Sequence, residues 1–139
     1  MTDAIARYKP DNVFIKKYES KEVIALLPGS RKQEIKLILP PMLEALKQID
    51  ATILLASAPS IDDDLYQSIL QDSGMQNSVT IIRNKTYDIL SISKFALVGS
   101  GTATLETALF KVPQVVCYKG NSLSYQIAKR LVKITYISL

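Results

Sequence analysis

The sequence has no histidine and no tryptophan, and it has a single cysteine among 139 residues. Without imidazole, histidine-based acid–base chemistry and the commonest zinc ligand are both excluded. Cys117 lies in the apolar stretch "QVVCYKG" with no second cysteine to pair with, which points to a reduced, cytoplasmic protein. No apolar run reaches the length of a bilayer span, and the N-terminus lacks the apolar core of a signal peptide. Charge of either sign is modest: 17 Lys and Arg against 13 Asp and Glu leave +4. That balance attracts anions. The lysines are dispersed and no basic run is interleaved with aromatics, which argues against nucleic acid as a partner. Glycine is scarce too, only five in all, so the places where it is used carry information.

With 47% hydrophobic and 22% charged residues, the chain reads as one globular domain. Residues 1–22 are polar and charged around Pro10, with a short pattern at Asn12–Tyr18, and are expected to be a linker or lead-in segment with one helical turn. From residue 23 to 139, short apolar runs alternate with amphipathic ones. The expected strands are 23–27, 52–56, 79–82, 95–98 and 114–118. The expected helices are 33–49, 61–74, 87–93, 102–110 and a last one from Ser122. Gly74 is read as a helix stop, and Pro40-Pro41 is expected to kink or split the first helix of this series. Continuous apolar strands alternating with helices specify an α/β fold, a Rossmann-like doubly wound parallel sheet.

In such a sheet, ligands sit beyond the carboxyl ends of the strands. Two loops there are rich in small residues: "LPGSRKQE" (27–34) and "VGSGTATLE" (98–106). A helix starting at Thr102 exposes backbone N–H groups, and glycine lets an anion reach them. Ser100, Thr102 and Thr104 add hydroxyls, and Glu106, a turn further on, can accept hydrogen bonds from a sugar diol. Arg31 supplies a guanidinium fork suited to phosphate oxygens. Each loop also has a plain structural reading, with Ser30, Ser100 or Thr102 as a helix cap and Arg31 and Glu106 in water. Taken together, the loops suit a nucleotide diphosphate better than either suits a turn. The expected diphosphate-binding residues are Gly29, Ser30, Arg31, Ser100, Gly101 and Thr102, with Glu106 on the ribose.

Ile82, Arg83 and Asn84 follow the third strand and either border a base or form a plain loop. Asp62, Asp63 and Asp64 point around a helix start, where acidic residues are stabilising, so no metal site is expected. Lys119 faces phosphates or solvent. Lys129, Arg130 and Lys133 share a helix face that is either a solvated stripe or a membrane-surface patch.

Four blocks in order, "LLPGSRKQEIKLILPPMLEAL", "VGSGTATLETAL", "PQVVCYKGN" and "AKRLVKITYISL", resemble the lipid-A-disaccharide synthases, glycosyltransferases of the GT-B type. "DAIARY" near the start is similar to the segment that follows the first domain in that family. The resemblance implies that this chain is most of the C-terminal, UDP-binding domain of a two-domain enzyme, with no cofactor. The implied donor is UDP-2,3-diacylglucosamine, the acceptor 2,3-diacylglucosamine 1-phosphate, and the reaction an inverting, metal-independent transfer that releases UDP. It implies work at the inner face of the inner membrane. Acceptor site and general base would lie in an N-terminal domain, so no catalytic residue is expected here. The family pattern continues beyond Leu139 with a proline–asparagine pair. A receiver domain is ruled out, because Ile82-Arg83 and Pro28-Gly29 stand where it needs acidic residues. Two other UDP-sugar enzymes of the same fold remain as alternatives, the peptidoglycan N-acetylglucosaminyltransferase and the UDP-N-acetylglucosamine epimerase.

Overall fold

The computed structural model describes residues 8–47, 49–99 and 102–117, with side chains from 106 onward in the last stretch. The elements run α1 (Asn12–Tyr18), β1 (Val23–Leu27), α2 (Lys32–Leu46), β2 (Thr52–Ser57) and α3 (Asp63–Asp72). They continue with β3 (Val79–Arg83), α4 (Thr86–Ile92), β4 (Ser93–Gly99), α5 (Thr102–Leu109) and β5 (Gln114–Cys117). All strand pairs are parallel, in the order β3-β2-β1-β4-β5. The chain winds outward from β1 to β3, then returns to the other side of β1 to lay down β4 and β5. The direction of winding therefore reverses between β1 and β4, and the carboxyl ends of those two strands flank the crevice where such sheets take ligands.

The period-2 alternation of strands divides the interior into two cores. Ile24 and Leu26 of β1 point to the side covered by α2 and α3, among Ile35, Leu39, Leu43 and Tyr66. Val23, Ala25 and Leu27 point to the other side, among Leu54, Ile89, Val98 and Tyr18. Both faces of β1 are covered, and all five of its residues are buried. An unbroken apolar run is what a strand buried on both sides requires.

Two expectations are sharpened. The segment before β1 holds α1, a helix longer than a single turn, whose N-cap Asp11 accepts from the Phe14 N–H at 3.2 Å. Its last residue, Tyr18, is buried in the second core. In addition, Pro40 and Pro41 do not split α2, which runs unbroken from Lys32 to Leu46. The carbonyls the two prolines leave without helical donors are those of Lys36 and Leu37, both exposed, where water can serve them. Six buried side chains on the opposite face, from Ile35 to Leu46, hold the helix against the sheet. Boundaries elsewhere shift by at most three residues. The last expected helix, with Lys129, Arg130 and Lys133, lies outside the described residues, as does Lys119. No helix among the described residues is long and apolar enough to cross a membrane.

Candidate functional site

The two glycine loops meet. β1 ends at Leu27 and passes through buried Pro28 to Gly29, whose φ of 120° suits a residue without a Cβ. Gly99, buried at the end of β4, lies against the Pro28 carbonyl, and a Cβ built there would stand 2.8 Å from that oxygen. The Glu34 carboxylate, from the first turn of α2, fills the gap between them. Its Oε1 is 2.6 Å from the Cβ position of Gly29 and 3.2 Å from that of Gly99. At these two positions, then, the room left by the missing side chains is taken up within the protein. Ser30 and Arg31 are exposed beyond Gly29, and Arg31, with extended φ, holds the N-cap position of α2. Ser100 and Gly101 lie outside the described residues, as does the side chain of Thr102, while the backbone of α5 begins at Thr102.

An open cleft of about 460 Å³ lies at the carboxyl ends of β2 and β3, the same edge of the parallel sheet. Glu106 and Asn84 both line it, so two of the expected nucleotide contacts share one wall system. Gly29, Ser30 and Arg31 are not among its lining residues. Asn84 is exposed with φ 62°, a conformation asparagine tolerates well. Ile82 is packed against the second core. Arg83 is not among the lining residues, and its guanidinium donates to the carbonyls of Ala58 (3.2 Å), Pro59 (3.4 Å) and Ile61 (2.8 Å). It also pairs with Asp63 at 2.5 Å, so this arginine ties β3 to the start of α3.

Sequence reasoning missed the far wall of the cleft. There the segment before α1 crosses α4. Asp88, buried on α4, accepts from the Tyr8 hydroxyl and, through the same oxygen, from the Asp11 N–H at 3.0 Å. Asp11 in turn pairs with Lys85 at 2.5 Å. That hydrogen bond holds the Asp11 carboxyl below the usual carboxylate range and raises Lys85. The rings of Tyr8, Tyr87 and Phe110 pack together with centroids 5.4–5.7 Å apart. The influence of Glu106 first, then burial, pushes the Tyr87 phenol up to about 12. Burial first, then the bond to Asp88, pushes Tyr8 up to about 12. The available signal was position: "TYD" opens α4 at the same sheet edge as the glycine loops.

These two phenols predict an alkaline limit. A phenol near 10 in the unfolded chain and near 12 in the folded one contributes stability that is complete below pH 10. That contribution falls away as pH rises from 10 to 12. Denaturant midpoints measured across this window should drop in the wild type. They should drop less in the Tyr8→Phe/Tyr87→Phe double variant, and identical slopes would contradict the assignment.

Comparisons with known proteins fit this geometry. The family model described as lipid-A-disaccharide synthetase matches residues 1–139. Curated lipid-A-disaccharide synthases include one from Geobacter sulfurreducens, 36% identical over 124 residues, which are 86% of this chain and 32% of that protein. The protein of that name from Syntrophus aciditrophicus is 39% identical over 126 residues, 87% of this chain and 33% of the relative. The one from Colwellia psychrerythraea is 33% identical over 126 residues, 87% of this chain and 32% of the relative. The chain thus spans about a third of the length of these relatives.

Proposed function

Because this chain belongs to the lipid-A-disaccharide synthetase family, we propose that it holds the UDP half of the sugar-nucleotide donor in a glycosyl transfer. The donor is UDP-2,3-diacylglucosamine and the acceptor 2,3-diacylglucosamine 1-phosphate, and the transfer inverts the anomeric carbon and releases UDP. The architecture is the UDP-binding domain of a GT-B enzyme, working at the inner face of the inner membrane. One observation carries the reading. The two glycine loops touch where the winding of the sheet reverses, and the Glu106 cleft opens at the same carboxyl edge of the sheet.

Within this domain the division of labour follows from charge and reach. Arg31 is exposed at the β1 loop and presents a fixed fork of donors to phosphate oxygens. The start of α5 adds unpaired N–H groups and the positive end of a helix dipole. Both stabilise the negative charge that builds on UDP as the bond to the sugar breaks. The Glu106 carboxylate accepts from the ribose diol. The acceptor and the base that deprotonates it are assigned to a partner domain of the same enzyme.

Calorimetric titration of this chain tests the reading. UDP should bind more tightly than uridine, because charge-assisted contacts to the diphosphate dominate. Glu106→Gln should weaken UDP by about 1.5–2 kcal/mol, the scale of a hydrogen bond to a charged group. It should leave 2′,3′-dideoxy-UDP nearly unchanged. Equal affinity for uridine and UDP would remove the diphosphate assignment, and equal losses for UDP and its dideoxy analogue would remove the ribose assignment.

A further inference from the structure

The loop between β2 and α3 turns three backbone carbonyls toward one side chain. The Arg83 guanidinium donates through Nη1 to the carbonyls of Ala58 at 3.2 Å and Pro59 at 3.4 Å. Through Nη2 it donates to the Ile61 carbonyl at 2.8 Å. Three carbonyl oxygens gathered so closely repel one another unless a cation stands among them. A planar guanidinium with five donors fits that place, whereas an ammonium is a point charge with three. Arg83 also pairs with Asp63 at 2.5 Å, but the two side chains are 34% and 50% exposed, so the ion pair alone holds little. Elsewhere the loop is pinned where the Ala58 N–H donates to the hydroxyl of fully buried Tyr66 at 2.9 Å.

Arg83 ends β3 and is paired across the sheet with Ser57, the last residue of β2. Ser57 and Pro59 line the Glu106 cleft from one connection, and Asn84 and Lys85 line it from the next. Arg83 lines it at no point, so it stands behind both stretches of wall. We infer that Arg83 is a positioning residue of the nucleotide cleft: it gathers the carbonyls of the β2–α3 loop and so keeps Pro59 in the wall beside Ser57. The inference rests on the reading of this cleft as the place of the nucleoside. Arg83 acts through the loop and not on the phosphates. A ligand that needs the loop in place binds more weakly in proportion to the fraction of time the loop is out of place.

Arg83→Met keeps an unbranched stem and removes every donor, and Arg83→Lys restores one point charge. The first measurement needs no ligand. Amide exchange at Ile61, whose N–H donates to the Ala58 carbonyl at 3.1 Å, should quicken by about tenfold or more in Arg83→Met and less in Arg83→Lys. Exchange in β1 should stay as it is. An unchanged rate at Ile61 means that Arg83 does not hold the loop, and the inference falls. The second measurement is NMR titration with UDP and with uridine. Arg83→Met should weaken both by about tenfold, which corresponds to a loop in place about a tenth of the time. Arg83→Lys should lie between Arg83→Met and wild type. Asp63→Asn, which spares the three carbonyl contacts, should change either ligand by less than about twofold. A loss confined to UDP would make Arg83 a direct phosphate contact and overturn the positioning role. So would faster exchange at Ile61 with both affinities unchanged, since the arginine would then serve the loop alone. Wild-type protein that binds neither ligand would defeat the reading of the cleft, and the positioning role would fall with it even where exchange at Ile61 responds.

Discussion

Gly99→Ala is expected to cost roughly 2–4 kcal/mol of stability, at the upper end of what overpacking a close-fitted position does. A Cβ at this position would meet the Pro28 carbonyl oxygen at 2.8 Å and its carbon at 3.1 Å. Both are backbone atoms, so no side chain can swing aside. Relief has to come from moving β4 against β1, yet Leu27 and Val98 are paired partners one residue before the contact. The other glycines give the comparison that makes this testable. At Gly29 the clash is with the flexible Glu34 side chain, although its φ of 120° adds strain of its own. At Gly74 nothing lies within 4 Å, and only the φ of 72° resists a side chain. The expected order of loss is Gly99, then Gly29, then Gly74, with the last near 1 kcal/mol. Chemical denaturation of the three alanine variants measures it. A Gly99→Ala protein within about 0.5 kcal/mol of wild type, the range of ordinary surface changes, would mean the two loops do not touch.

This contact also refines what the glycines reveal. Two of them beside Ser100 suggested that something approaches the backbone closely. At Gly99 that something is the neighbouring loop: the carbonyl of Pro28 and the carboxylate of Glu34. A close approach between two chain segments and one between chain and ligand require the same residue, so sequence could not separate them. The phosphate reading therefore leans on Ser30, Arg31 and the start of α5 more than on Gly99.

The sheet was legible because its physics is local. The three central strands are covered on both faces and must be apolar along their length, so VIALL, TILLA and FALV identify themselves without their neighbours. Boundaries were less legible where pairing decides them. β4 starts at Ser93, two residues before its apolar run, because Ser93 already pairs with Val23 across a register shift. The proline pair leaves α2 unsplit for a related reason. Its local penalty is real, but tertiary burial of Ile35, Ile38, Leu39, Met42, Leu43 and Leu46 outweighs it. What sequence hid entirely was the wall built from Tyr8, Asp11 and Asp88. Those residues are 77 and 80 positions apart, and no periodicity links them. Even there Asp11, an N-cap followed by an apolar pair at Val13-Phe14, was a helix signal for α1 that the polar composition of the segment masked.

That wall carries the second large expected effect. Asp88→Ala should destabilise the protein by about 3 kcal/mol, because one buried carboxylate satisfies two donors from a segment distant in sequence. Its loss leaves the Tyr8 hydroxyl and the Asp11 N–H without their acceptor in a partly buried place. It also removes the charge nearest the Asp11–Lys85 pair, which is too exposed to hold the segment alone. The damage should be local before it is global. Tyr18 still anchors α1 in the second core, whereas Tyr8 through Asp11 lose their attachment to α4. Hydrogen exchange at residues 8–11 should therefore quicken more than exchange in β1 or β2. Asp88→Asn should lie between wild type and alanine, since its amide oxygen still accepts but carries no charge. If Asp88→Ala leaves both stability and exchange at residues 8–11 unchanged, the segment before α1 is not fastened to the cleft by this carboxylate. The packing of the three aromatic rings would then have to hold it.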